Sequence, residues 1–353
     1  MPGCPSLCGS DSNTARSGRA LGRVPAGEPV YSVAIGKEHR MHLTAGPIIR
    51  LRILQLACVL CIESLLLGGC SAQPSPPKFD SSRAFSVLSR QCDFGPRPVG
   101  SAAHDRTRDY LVRELRRYAD SVELQNFQHA QADKTYRLSN IVAEFGDPNT
   151  RGVLLCAHWD TRPTADEELE AADRQRPILG ANDGASGVAV LLELARMFHE
   201  RPPAVPVTVV LFDGEDFGPT VQDMFLGSRH FAARLGNKPR FRYGILLDMV
   251  GDKELEVYRE GNSQAGAKSV VDKIWTAARK LGYDGAFRDQ VKYTISDDHV
   301  PLIEAGLPCA DVIDFDYACW HTLRDTVDKC SAESLRTVGE TIARVVYSET
   351  PGP

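Results

Sequence analysis

The sequence predicts an α/β fold, a three-layer sandwich with a mostly parallel central sheet and helices on both faces. Two observations carry that expectation. Strand-like and helix-like segments alternate from residue 83 to residue 350, the order from which βαβ units build a parallel sheet. The runs Val153–Ala157 and Val207–Phe212 are apolar nearly throughout, as strands covered on both faces must be, whereas a half-exposed strand would alternate. With 353 residues, 42% hydrophobic and 25% charged, the chain has apolar material for one large domain plus extras. A net charge of -5 without a basic stripe argues against nucleic acid as a partner.

Residues 1–40 are rich in Gly, Pro, Ser and Arg, lack an apolar period and read as a non-structured upstream segment; Met41 offers a second start. Residues 41–70 read as a lipoprotein-type signal peptide. Arg50 and Arg52 precede the apolar run Ile53–Leu67, which is shorter than the roughly 20 residues of a membrane span but fits a signal core. Leu67, Gly68, Gly69 and Cys70 resemble a bacterial lipoprotein cleavage box, so Cys70 becomes the candidate lipidated residue and the only membrane attachment. Residues 71–82 form a Pro/Ser-rich tether, and 83–350 the catalytic domain. Export to the periplasm or cell envelope follows, and the domain is expected to act as a monomer. Of ten cysteines, Cys92, Cys156, Cys309, Cys319 and Cys330 would remain in the mature chain. That odd number leaves at least one free or paired outside the chain.

Within the domain, residues 83–119 read as two helices around the turn GPRPVGS (95–101). The second carries the stripe Tyr110, Leu111, Leu115, Tyr118. Val122–Phe127 and Tyr136–Phe145 follow as strands. Val153–Ala157 is a buried strand ending in His158, Trp159 and Asp160, and in extended chain His158 and Asp160 share a face. After a polar loop (162–179) comes LGANDGASGVAVLLELARMF (179–198), where Asp183 stands at a loop-to-helix transition. Val207–Phe212 is a strand running into Asp213, Gly214, Glu215 and Asp216, and Tyr243–Leu247 one ending in Asp248. Helices are expected near Ser228–Leu235, 269–281, Val300–Ala305 and Ser331–Tyr347, with a strand around Asp311–Phe315.

His158, Asp183, Glu215, Asp216, Asp248, Asp297 and His321 therefore gather at strand ends, the rim where open α/β sheets bind ligands. Each has a plain alternative. Asp183 caps its helix, His158 and Asp160 form a hydrogen-bonded pair, Glu215 and Asp216 point into water, Trp320 fills core, and His230 and His299 are structural. Together, so many carboxylates would raise one another's pKa without a cation. Mixed histidine and carboxylate donors with an open position describe catalytic zinc, and magnesium would not explain the histidines.

The segments AHWDT, GANDGASG, LFDGED, GSRHF, LLDMVGD, SDDHVP and WHT stand in this order. Over residues 85–348 they resemble the M28 zinc-peptidase family, and DDHVP and WHT resemble its glutaminyl-peptide cyclotransferase branch. The resemblance implies an M28 fold, phosphorylase/hydrolase-like, and one Zn2+ on Asp183, Asp216 and His321. It makes Glu215 the proton-transferring residue with Asp248 and Asp297 as acidic neighbours, and Trp320 part of the wall that binds substrate. The implied activity is cyclisation of N-terminal glutamine of peptides or proteins to pyroglutamate, releasing ammonia. The alternative is a two-zinc aminopeptidase in which His158 and Asp248 complete a second metal site bridged by Asp183. The third is a catalytically inactive, lipid-tethered binding protein on the same fold. Three departures bear on the pocket: Asp216 stands where many relatives carry Glu, FGPTVQDM (217–224) lacks the Trp of animal cyclases, and Ser296 replaces Gln.

Overall fold

The computed structural model describes residues 76–236 and 240–351. The segment 1–40, the leader expected at 41–70 and Cys70 lie outside them. Helices α1 (Ser81–Asp93) and α2 (Ala102–Leu115) lead into strands β1 (Ser121–Gln131), β2 (Lys134–Phe145) and β3 (Gly152–His158). Next come α3 (Ser186–Glu200), β4 (Val207–Phe212), α4 (Leu226–Ala232), β5 (Phe241–Asp248), β6 (Val257–Arg259), α5 (Gly261–Gly266) and α6 (Lys268–Leu281). The chain closes with β7 (Phe287–Val291), α7 (His299–Glu304), β8 (Cys309–Ile313) and α8 (Ala332–Tyr347).

The main sheet has the order β1-β2-β4-β3-β5-β8. Strands β4, β3, β5 and β8 are parallel, and the β1–β2 hairpin adds an antiparallel edge. Alternate side chains of β3 part to opposite faces, as a pleated strand requires. Val153, Leu155 and Ala157 join the large core with α1, α3, α6 and α8. Leu154 and Cys156 meet Phe231 of α4 and Leu302 of α7. Helices thus cover both faces, and the sandwich has three layers.

Two differences from the sequence reading have physical causes. The folded domain begins earlier than residue 83: Phe79 is buried against α8, where Gly339 leaves room for its ring, and Asp80 caps α1 through the Arg83 amide. The end of the Pro/Ser-rich segment therefore belongs to the core. A second, two-stranded parallel sheet, β6–β7, and the short helix α5 were not legible. Strand β6 has only three residues, and four of the five in β7 are exposed, so neither carries an apolar run. The five described cysteines are buried and free. Among the described residues no helix is long and apolar enough to cross a membrane.

Candidate metal centre and active site

Parallel pairing of β3, β4, β5 and β8 brings their C-terminal ends to one rim, and there the chain delivers His158, Asp213–Asp216, Asp248 and the 314–325 segment. The N-termini of α3 and α7 come to the same rim with Asp183 and Asp297. Helix α3 lies directly on β5: a Cβ at Gly187 would sit 2.1 Å from the Leu247 carbonyl oxygen, so only glycine permits that approach.

Asp183 does not cap α3. The N-cap is Ala185, without a side-chain cap hydrogen bond. The Asp183 loop is instead pinned from below. Asp325 accepts from the amides of Asn182 (2.8 Å) and Asp183 (3.1 Å), and Tyr317 donates to the same carboxylate (2.8 Å). The buried Arg97 guanidinium donates to the carbonyls of Trp159, Leu179 and Gly180 at 2.8–3.1 Å. Gly184, at φ +95°, turns past the Asp160 carbonyl, which a Cβ would approach to 2.4 Å.

After β4, successive residues take different jobs. Asp213 faces inward to His104 (2.8 Å) and the Ser139 amide (2.6 Å). Asp160 accepts from the amides of Glu215 (3.1 Å) and Asp216 (3.3 Å), fixing both acids at the rim. They do not point into water, for Glu215 and Asp216 are both buried. Arg162 donates to Asp216 Oδ1 at 2.9 Å and to Asp166 at 2.8 and 3.0 Å. The loop that carries Asp166 is tied to the His321 segment by Glu167 N–H to the His321 carbonyl and Leu323 N–H to Glu168.

Asp183, Asp216 and His321 form one group whose ligand atoms lie within 4.8 Å of one another. His321 Nε2 is 3.7 Å from Asp183 Oδ2 and 3.6 Å from Asp216 Oδ1. Those gaps are too long for hydrogen bonds but close to the edge, about 3.3–3.6 Å, of a tetrahedron of ligands around zinc. Asp216 Oδ2 is buried without a protein hydrogen-bond partner, so Arg162 occupies one oxygen and leaves the other to a cation. His321 adopts φ +51°, a left-handed conformation that non-glycine residues hold only when their surroundings dictate it.

His158, Asp183 and Asp248 form a second such group. His158 Nε2 is 3.1 Å from both Asp183 Oδ1 and Asp248 Oδ1, so Asp183 faces one imidazole with each oxygen. His158 Nδ1 lies 3.7 Å from Asp160 Oδ1 and 3.7 Å from Glu215 Oε2. The residues fit zinc by donor chemistry, nitrogen and oxygen with space for a substrate atom.

The electrostatics follow from crowding. Burial and then Asp216 push Asp183 up to about 6 and hold Glu215 well above the usual carboxylate range. Burial and the neighbouring Asp248 lift Asp297 to about 7. Burial works against charge on Asp216, but His321 and Arg162 outweigh it and keep the carboxyl well below its ordinary value. Burial likewise opposes a charged His321, yet Asp216, Asp166 and Asp183 raise it to about 10. One acid is thus held ionised for a cation while Glu215 and Asp297 are suited to carrying protons.

Trp320 is half-buried and stacks on His321 with centroids 3.9 Å apart. With Met249, Ile313, Tyr317, Cys319 and Phe315 it makes an apolar wall beside the centre. His230 stacks on Phe127 at 4.4 Å, away from this rim's ligand groups. Arg97, Arg162, Asp166 and Asp325 were missed in the sequence. The shared face read for His158 and Asp160 did not extend to Arg162, and all four missed residues meet the site through long-range contacts.

The profile of peptidase family M28 matches residues 140–346. The chain is 31% identical over 207 residues to aminopeptidase YwaD of Bacillus subtilis, a match covering 55% of this chain and 40% of that protein's length. It is 26% identical over 276 residues to the glutaminyl-peptide cyclotransferase of Drosophila melanogaster, covering 69% of this chain and 75% of that one. Among solved structures it is similar to Tannerella forsythia glutaminyl cyclase, at 39% identity and a TM-score of 0.74, covering 78% of this chain and 100% of that one.

Proposed function

The chain belongs to peptidase family M28, and from that membership and the rim geometry we propose that it is a zinc-dependent glutaminyl-peptide cyclotransferase acting on the N-termini of peptides or proteins. The observation that carries the reading is Asp297, a buried carboxyl that burial first and the neighbouring Asp248 second lift to about 7. Asp297 keeps a proton at neutral pH and can offer it to Asp248, which makes Asp248 a poorer metal ligand. One cation on Asp183, Asp216 and His321 then suffices for cyclisation. The similarity to one solved glutaminyl cyclase over its whole length, and to a glutaminyl-peptide cyclotransferase over three quarters of its length, supports the same choice.

Bound at that group, zinc supplies a Lewis acid that polarises the side-chain carbonyl of an N-terminal glutamine. The apolar wall at Trp320 receives the flat carboxamide and restricts it to the orientation that presents its carbon to the α-amine. Glu215 takes a proton from the α-amine as its nitrogen bonds to the side-chain carbonyl carbon. It then delivers that proton to the departing amide nitrogen, the carbon–nitrogen bond breaks, and ammonia leaves a five-membered lactam. Asp248, with the protonated Asp297 beside it, would accept a hydrogen bond from the α-amino group and hold it toward the carbonyl carbon.

A second reading rests on its own observation. The His158–Asp183–Asp248 group has the donors and the shared carboxylate of a second metal site, which would suit a two-zinc aminopeptidase. Purified protein incubated with a Gln-initiated peptide and with Leu-para-nitroanilide, with zinc counted per chain, separates the two. Pyroglutamate and ammonia with one zinc support the cyclase; nitroaniline release with two zinc ions refutes it. The leader at 41–70 supports the further reading that the enzyme is exported and lipid-anchored at Cys70. Palmitate labelling lost in Cys70→Ser tests it, and labelling that persists refutes it.

A further inference from the structure

Asp297 also belongs to a third nest of ligand-type side chains, whose other members the cyclisation chemistry does not use. Asp297, His299 and Asp311 each offer an atom within 4.8 Å of the others, and all three residues are buried. They come from separate places: the loop before α7, its first turn, and the middle of β8, where Asp311 stands between the core residues Ala310 and Val312.

Glu260 fixes the imidazole. Its carboxylate accepts from the amides of Asn262, Ser263 and Ile295 and lies 3.0 Å from His299 Nε2. Nε2 must therefore carry the proton, and the Nδ1 lone pair faces the nest. A carboxylate behind the far nitrogen of a histidine is the arrangement that orients metal-binding imidazoles. Inside the nest, His299 Nδ1, Asp297 Oδ2 and both oxygens of Asp311 are buried with no hydrogen-bond partner.

An acid so placed must be relieved by a proton or by a cation. Spacing excludes a proton shared between His299 and Asp311. Groups sharing a proton close to about 2.5–3.0 Å, whereas ligands at zinc distances stand about 3.3–3.6 Å apart. His299 Nδ1 and Asp311 Oδ2 are 3.7 Å apart, matching the 3.6 and 3.7 Å gaps at His321. We infer that Asp297, His299 and Asp311, with Glu260 orienting the imidazole, form a further site for a divalent transition-metal ion of the zinc class. One imidazole with two carboxylates suits zinc better than calcium or magnesium.

Resting on the cyclase reading, occupancy has a consequence. A cation on Asp297 occupies a carboxyl that the cyclisation needs beside the α-amine, so the site is inhibitory and fills at zinc concentrations above those that load the Asp183 group.

Anomalous diffraction at the zinc edge, from crystals of the chain soaked in excess zinc, locates the ion directly. A peak between Asp297, His299 and Asp311 is the expected result; peaks confined to the groups built on Asp183 overturn the inference. In calorimetric zinc titration, Asp311→Asn should lose the weaker site, and Glu260→Gln should weaken it by about 10–100-fold, both keeping the tight site. Unchanged titrations in both variants would equally overturn it. Excess zinc should inhibit Asp311→Asn only at concentrations at least about tenfold higher than wild type. Diffraction and titration decide the site even if cyclisation is never observed, and cyclisation without this site leaves the cyclase reading intact.

Discussion

Replacing Glu215 by glutamine removes the proton carrier while keeping its shape. The residue is 7% exposed, its backbone amide is anchored on Asp160, and its carboxyl lies 3.7 Å from His158 Nδ1. General acid–base catalysis contributes about 10²–10⁴-fold. Here the loss belongs at the upper end, because the nearest imidazole, His158, is held protonated by Asp160, Asp183 and Asp248 against the effect of burial and cannot take the proton instead. We expect kcat for a Gln-initiated peptide, followed by ammonia release, to fall about 10³–10⁴-fold, or about 4–5.5 kcal/mol at 1.36 kcal/mol per decade. Zinc content should stay at the wild-type value, since Asp183, Asp216 and His321 are untouched. A variant that keeps its activity within tenfold, or that loses its zinc, refutes the role given to Glu215.

Asp325 holds the Asp183 loop through two amides, so Asp325→Ala should weaken zinc binding by about 10–100-fold in competition with a chelator; unchanged affinity would show that the loop holds itself. Arg97→Met leaves three backbone carbonyls without their donor and should cost at least about 3 kcal/mol in denaturant unfolding. The metal-free protein should lose stability as pH rises from about 4 to about 8. Asp183 at about 6, Asp297 at about 7 and Asp325 at about 7 bind protons in the folded state that unfolded carboxyls near 3.9 have already released. Raised His158 and His321 act in the same direction. Melting temperatures that climb across that window would contradict the crowding of acids at the rim.

The parallel core was legible because its strands are apolar on both faces: Val153–Ala157 and Val207–Phe212 could be read as buried, and their polar ends as a rim. Asp216 was legible for the same reason, Asp183 from its place where a loop turns into a helix, and the grouping of both with His321 only from the resemblance to the M28 family. What holds them was not. Asp325 reaches Asp183 across 142 positions and Arg162 reaches Asp216 across 54, and no local pattern encodes such pairings. Asp311 shows the limit most clearly. In sequence it is a polar residue inside a strand, and only the fold sets it against His299, which the sequence had marked as structural.

The central claim is that this centre closes a ring instead of cutting a chain. Mass spectrometry of a Gln-initiated peptide after incubation with the zinc-loaded protein tests it most directly. The account predicts a product of unchanged residue count that has lost one ammonia and resists Edman degradation. Free glutamine together with a peptide shorter by its first residue would contradict it.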